Sequence, residues 1–164
     1  MASTYTPINT YTLGSAQTAI TFNSIPNTYT DLILEVVGNV SANAYTKLYF
    51  NGVNTSTYSA TQLYGDGSSA GSSRQTTGSG LGYIQFNYLY TTSNQGQARI
   101  QIQNYANTST YKTCLIREDD AAYNAIARVG LWQSTSAISS VTVERVSGNW
   151  SIGTTATLYG IQAA

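Results

Sequence analysis

The sequence has no histidine and only one cysteine, and both absences restrict its chemistry. Without an imidazole the chain lacks the commonest general base, the commonest metal ligand and every catalytic triad built on histidine. Cys114 cannot form a disulfide within the chain, and it has no histidine with which to form the usual thiolate pair. Its neighbours alternate as in a strand, so we expect a small buried side chain. These absences argue against an enzyme.

Charge is also scarce, since charged residues make up 9% of the 164 residues and the net charge is zero. A typical domain has about 25%. There is no basic run to attract a nucleic-acid backbone, and no apolar run approaches the roughly 20 residues that span a bilayer. The N-terminus lacks the basic and apolar regions of a signal peptide. We therefore expect no nucleic-acid or membrane partner, and folding in a reducing cytoplasm.

No motif for a cofactor, metal or catalytic pair is evident. The glycine-rich segment GDGSSAGSSR has neither the lysine nor the helix that a phosphate cradle needs. Residues 118–120 (EDD) could offer oxygen ligands to Ca²⁺, but they lack the EF-hand spacing, and a solvated turn is expected. Opposed carboxylates could hydrolyse a glycoside, yet spacing identifies no such pair among the seven acids. These acids are Asp31, Glu35, Asp66, Glu118, Asp119, Asp120 and Glu144. We predict no catalytic residue, no metal and no cofactor.

The missing charge is replaced by threonine, serine, asparagine, glutamine and 14 tyrosines. Threonine and tyrosine favour strands, turn signals recur along the chain, and period-2 patterns lie between them. No helical periodicity persists over a helix length, and residues 118–123 are the only plausible helical turn. The sequence predicts a single-domain, antiparallel, jelly-roll-like β-sandwich of about eight to ten strands.

Some segments suggest particular positions in this sandwich. Residues 31–37 (DLILEVV) are apolar on both faces, which is typical of a central strand or of one covered by a neighbouring subunit. Residues 65–80 read as a long polar loop, and such loops are often functional. Asp66 and Arg74, which lie in it, are candidates for an exposed or inter-subunit surface.

The two tryptophans have different predicted roles. Trp132 lies in the apolar run VGLW and is expected in the core. Trp150 follows Gly148-Asn149, so it lies near a turn, where an exposed ring could stack on a glycan.

The chain resembles a group of tailed-phage virion proteins over residues 12–163. The resemblance is carried by the successive segments TLGSAQTAITFNSIPNTYTDLIL, LYGDGSSAGSSR, IQNYANTSTYKT, VGLWQSTSAISSVTV and GTTATLYGIQA. This group contains capsid decoration (cement) proteins and modules of fibres. The resemblance implies a β-sandwich that assembles as a homotrimer, has no enzymatic activity and resides in the virion.

We expect a capsid decoration protein that binds the major capsid protein and stabilises the shell. The chain starts at Met1 with no coiled coil or collagen-like repeat, which favours this role over a long fibre. Residues 1–11 are interpreted as an N-terminal arm and residues 12–164 as the sandwich. Tyr5, Pro7 and Tyr11 are the candidate capsid contacts, because tyrosine combines apolar area with a hydrogen bond. The alternative is a receptor-binding tail module that recognises a host glycan.

Overall fold

A computed structural model describes residues 4–76, 82–89, 91, 95–120 and 124–162. These residues form twelve strands and no helix. The strands are β1 (Tyr5–Thr12), β2 (Ala19–Phe22), β3 (Asp31–Gly38), β4 (Ala44–Phe50), β5 (Tyr58–Gly65), β6 (Ala70–Gln75), β7 (Ile84–Leu89), β8 (Gly96–Gln103), β9 (Lys112–Asp120), β10 (Asn124–Trp132), β11 (Val141–Arg145) and β12 (Thr155–Ile161). Within the described ranges there is accordingly no helix long and apolar enough to cross a membrane.

The strands form two sheets that enclose one core. The larger sheet has eight strands in the order β1-β12-β3-β8-β9-β10-β5-β6, and the smaller has four in the order β2-β11-β4-β7. All pairings between neighbouring strands are antiparallel. The predicted all-β, jelly-roll-like sandwich is confirmed, with twelve strands in place of the expected eight to ten.

Alternation along each strand supplies the core. Leu32, Leu34 and Val36 of β3 point inward and are buried, and β3 has a neighbour on both sides, as the two-faced apolar pattern of residues 31–37 predicted. Trp132 is also buried, and its ring stacks on Tyr58 with centroids 6.0 Å apart. Each large apolar side chain buried in this way stabilises the fold by about 1.5–3 kcal/mol.

The segment expected to be a long loop is instead a hairpin. Asp66 Oδ1 accepts hydrogen bonds from the backbone N–H groups of Ser68 and Ser69 and forms a tight turn. The chain then returns as β6, paired with β5 at the edge of the larger sheet. An edge strand is paired on one side only, so β6 can form from small polar residues without an apolar face. Residues 77–80 of the expected loop lie outside the described residues.

Residues 118–120 are not part of a helical turn. They continue β9 and pair with both β8 and β10, because the ladder hydrogen bonds on both sides extend to the end of the strand. Residues 121–123, the remainder of the expected turn, lie outside the described residues.

Most of the expected N-terminal arm belongs to the larger sheet. Tyr5–Thr12 forms the edge strand β1, which pairs with β12 along its length. The register shifts between Pro7 and Asn9, since proline has no N–H to donate and is tolerated on edges and at bulges. Residues 1–3 lie outside the described residues.

Candidate binding surface

Strands β9 and β10 carry charged side chains on the side that faces the core. Arg128 of β10 donates two hydrogen bonds to Glu118 Oε1 of β9, from Nη2 at 2.8 Å and from Nε at 3.0 Å. The side chains are only 6% and 1% exposed. Because side chains alternate along a strand, burial of this ion pair turns the intervening aliphatic residues towards solvent.

We call the side of the larger sheet that points away from the smaller sheet the outer face. In the centre of the outer face lies an aliphatic patch, which consists of Leu63, Leu115, Ala127 and Val129. Val129 lies directly opposite Leu115, and Ala127 lies directly opposite Leu63. Leu63, Val129 and Leu115 are 64%, 53% and 46% exposed. A contiguous exposed apolar area of this kind is typical of an interaction surface.

A pair of arginines borders the aliphatic patch. Arg99 of β8 and Arg117 of β9 are directly opposite in the antiparallel register, and both are exposed. Arg99 lies 3.6 Å from Glu35, measured from Nε to Oε1, and its Nη2 donates to the Tyr5 hydroxyl at 3.1 Å. Among the described residues, the Arg117 side chain has no hydrogen-bond or ion-pair partner. Like charges placed directly opposite each other destabilise a sheet, so this pair is not explained by the stability of the fold.

Two depressions flank the arginine pair. The larger, of about 400 Å³, is lined by Tyr5, Ile33, Arg99, Gln101, Leu115, Arg117, Ala127 and Ile161. We call it the arginine groove. The smaller, of about 210 Å³, is lined by the same two arginines together with Glu35, Val37, Gln97, Ala98 and Asp119. Glu35 and Asp119 thus line the smaller depression, while none of the described residues that line the arginine groove carries a carboxylate.

Tyr5 forms one wall of the arginine groove and is held in place from two sides. Its ring packs edge-on against Tyr159, with centroids 6.3 Å apart, and the Arg99 guanidinium lies 5.9 Å from its ring centroid. The Tyr5 side chain is still 46% exposed. The Tyr5 ring is therefore held in a fixed position by its neighbours and is still accessible to a ligand in the groove.

The solvent side of the smaller sheet carries a second cluster of titratable groups. Glu144 Oε1 and Oε2 accept hydrogen bonds from Lys47 Nζ and the Tyr49 hydroxyl, each at 2.8 Å. Burial acts to raise the pKa of Glu144, but the hydrogen bonds from Lys47 and Tyr49 outweigh it and hold the pKa below its ordinary value. Burial, together with the Glu144 carboxylate, raises the pKa of Tyr49 to about 12. These groups satisfy one another, and we interpret the cluster as a cross-strand contact of the sheet.

The structure corrects the prediction for Trp150. Its ring is fully buried, with the Arg145 guanidinium 5.3 Å from the ring centroid. Arg145 is buried as well, and it donates to the carbonyls of Ala42 and Ala44 at 3.0 and 2.8 Å. The residues that follow Gly148 thus fold back over the end of the core, and the indole cannot stack on a glycan.

The other predicted site residues are dispersed over the sandwich. Tyr5 lies in the arginine groove, and Pro7 is an exposed residue of the same edge strand. Tyr11 is separated from them, because its ring packs against Phe22 with centroids 5.1 Å apart. Their role as capsid contacts stays a prediction.

Asp66 and Arg74 lie near the opposite edge of the larger sheet. Asp66 is exposed in the β5–β6 turn, where four hydrogen bonds from Ser68 and Ser69 lower the pKa of its carboxyl. Arg74 is exposed on β6 and lines a further depression of about 370 Å³ that reaches Val129 and Leu131. Their role between subunits stays a prediction.

The sequence-based reasoning missed the aliphatic patch and the arginine pair. A signal was present in β9, where Leu115 lies between Cys114 and Ile116 and therefore points to the opposite side from these two inward-facing residues. A strand with apolar side chains on both sides indicates that each side meets an apolar surface. The opposition of Arg99 and Arg117 could be found only once β8 and β9 were known to pair.

The described residues offer no evident metal centre. Among them, no group of three or more Cys, Asp or Glu side chains comes together. Alternation along β9 places Glu118 inward and Asp119 outward, where Asp119 Oδ2 accepts a hydrogen bond from Gln97 at 2.9 Å. The two acids therefore do not share a site.

Comparisons with known proteins found some similar solved structures. No protein-family model matches the chain, and no curated protein sequence matches it. Among solved structures it is similar to an exo-inulinase from Aspergillus awamori (10% identity, TM-score 0.46), over 96% of this chain and 29% of the inulinase. It is also similar to galectin LEC-6 from Caenorhabditis elegans (9% identity, TM-score 0.44), over 92% of this chain and 95% of the galectin. The alginate lyase Aly36B (6% identity, TM-score 0.40) is matched over 93% of this chain and 77% of the lyase. The chain spans under a third of the inulinase, and at these identities the likeness concerns the fold alone.

Proposed function

We propose that this chain is a non-catalytic structural protein of a tailed-phage particle, which decorates the capsid shell as a trimer. The resemblance of residues 12–163 to virion proteins supports the proposal at the level of sequence. The structural observation that carries it is the aliphatic patch on the outer face, where Leu63, Leu115 and Val129 are about half exposed or more.

The patch is suited to adhesion because binding there needs little desolvation of charge. Each Å² of apolar surface that a partner covers contributes roughly 25 cal/mol, whereas burial of an unpaired ion is strongly unfavourable. The rest of the surface is rich in hydroxyl and amide groups, which can hydrogen-bond across a contact. A trimer would present three patches to neighbouring capsomers, and joint engagement would give avidity. Binding only to the assembled lattice would stabilise the shell.

Capsid binding can be tested with two matched lysine variants. Val129→Lys places a charge in the aliphatic patch, while Ile152→Lys places one at an exposed position outside the strands that is 69% accessible. Both sites are exposed, so unfolding free energies should change by about 0.5 kcal/mol or less. We expect Val129→Lys to abolish co-sedimentation with particles stripped of this protein, and Ile152→Lys to sediment like the wild type. Equal sedimentation of both variants would remove the patch from the proposal.

A receptor-binding tail module is the second candidate function, and the arginine groove with its exposed Tyr5 wall favours it. Copy number separates the two roles. Quantitative mass spectrometry of purified particles should find hundreds of copies of a decoration protein, and a few to a few dozen copies of a tail component. Hydrolysis of a panel of bacterial glycans by the purified chain would contradict both proposals.

A further inference from the structure

We propose that the arginine groove binds an acidic sugar, with the sugar carboxylate held between Arg117 and Arg99 and the ring held against Tyr5. This inference goes beyond attachment to a capsid, and it can hold or fail independently of that role. It rests on the register of β8 and β9, the lining of the groove and the position of Tyr5.

The paired arginines form an anion site that the fold leaves unfilled. Arg99 and Arg117 are opposed in register, and of the two only Arg99 has partners among the described residues, namely Glu35 and the Tyr5 hydroxyl. The Arg99 and Glu35 side chains are 47% and 43% exposed, so solvent screens this ion pair and Glu35 only partly offsets the positive charge of Arg99. A carboxylate between the guanidinium groups would relieve the repulsion and accept charge-assisted, bidentate hydrogen bonds.

The distribution of acids selects the groove over the smaller depression. Glu35 and Asp119 line the smaller depression and would repel an anion there. At the margin of the groove, Asp31 Oδ2 accepts from Gln101 Nε2 at 3.2 Å, and Asp31 Oδ1 accepts from the Asn104 N–H at 2.8 Å. Asp31, which contacts the lining residue Gln101, is thus already hydrogen-bonded to the protein.

The remaining lining suits a sugar ring. Ile33, Leu115 and Ile161 provide an apolar floor against which the C–H face of a pyranose can pack. Gln101 also lines the groove, and a side-chain amide can form hydrogen bonds with ring hydroxyls. Tyr5 provides an exposed aromatic wall whose position is set by Tyr159 and Arg99. The volume of about 400 Å³ falls within the usual range of small-molecule sites.

The test is an NMR titration of the isotope-labelled full chain, at 17.6 kDa, that follows backbone amides and arginine Nε–H signals. The probes are glucuronate, glucose, N-acetylglutamate and sulfate. Arg117→Gln is the test variant. Arg74→Gln is the matched control, because Arg74 is another exposed arginine on the same outer face. Both changes affect exposed side chains, and the folded state of each variant is read from the same spectra.

We expect saturable shifts around Arg99, Arg117 and Leu115 with glucuronate, and much weaker shifts with the other three probes. Arg117→Gln should weaken glucuronate binding at least about tenfold, since a hydrogen bond to a charged group is lost, and Arg74→Gln should leave it unchanged. Equal binding of N-acetylglutamate or sulfate would overturn the assignment to a sugar. Equal binding of glucose would overturn the role of the arginines, and no shifts with any probe would overturn the site.

Discussion

Replacement of Arg128 by methionine should destabilise the fold far more than removal of an exposed charge on β8, β9 or β10. The Arg128 and Glu118 side chains are 6% and 1% exposed and joined by hydrogen bonds of 2.8 and 3.0 Å. Methionine would remove the Arg128 guanidinium that pairs with the Glu118 carboxylate in the core. Removal of one member of a buried pair typically costs about 3–5 kcal/mol, which for a chain of this size lowers Tm by about 6–20 °C.

Urea unfolding followed by tryptophan fluorescence measures this loss, because both tryptophans are buried in the core. The control is Arg99→Met, which removes an ion pair that is about half exposed and longer, at 3.6 Å. Exposed pairs contribute about 1 kcal/mol or less, so the control should unfold close to the wild type. The slope of free energy against urea should be similar in all three proteins if each unfolds in two states.

A double variant, Glu118→Leu with Arg128→Met, tests the reason for the loss. Apolar replacement of both members removes the buried carboxylate as well, so most of the lost stability should return. The reasoning is refuted if Arg128→Met costs less than about 1 kcal/mol, or if the double variant is as unstable as the single one. The first outcome would mean that the pair contributes little to stability, and the second that the loss does not come from the carboxylate left in the core.

Three further predictions follow from buried or crowded groups. Glu144→Gln should remove part of the acid sensitivity of the fold. Because the pKa of Glu144 is lowered in the folded state, its carboxylate stabilises the wild type above the ordinary glutamate pKa of about 4.3, and this stability is lost as the pH falls through the folded-state pKa. Urea unfolding at neutral and acidic pH measures the difference between the two proteins. Burial raises the pKa of Cys114 to about 12, so intact-mass spectrometry should find no iodoacetamide adduct in the native protein and one adduct after unfolding; rapid native labelling would contradict the buried thiol. Gly130→Ala should cost about 1–3 kcal/mol in chemical denaturation, because the added methyl group would lie 2.5 Å from Ile84 Cδ1 and 2.8 Å from Cys114 Sγ; an unchanged midpoint would show that both neighbours can move aside.

Local chemistry was enough to predict the class of fold. Threonine and tyrosine are enriched in strands, and the turn residues between them divide the chain into short segments. Trp132 and Cys114 were correctly expected in the core because each lies within an apolar or alternating run. Trp150 was misjudged, since it is buried where its backbone bridges to Gln17 and Val40, which are distant in the sequence.

The candidate binding surface could not be predicted in the same way. A strand such as β10 (NAIARVGLW) has two possible orientations, and ordinary polarity favours the one with Arg128 in solvent. If the inward and outward positions of a strand are exchanged, by a shift of one residue, every side chain moves to the other face. Here Glu118 on the neighbouring strand pairs with Arg128 inside the sandwich, and Val129 becomes a surface residue.

The sequence by itself determined that the chain is built from strands, that it lacks imidazole chemistry and that its surface is nearly neutral, because these properties belong to residues one at a time or to near neighbours. The tertiary structure alone decided which face of each strand meets solvent and which distant residues become adjacent. Tyr5 reaches Ile161 and Arg99 meets Arg117 only through the order of strands in the larger sheet. Strand order is selected by the burial of the whole core, so a groove built from four or more strands is a property that no local pattern contains.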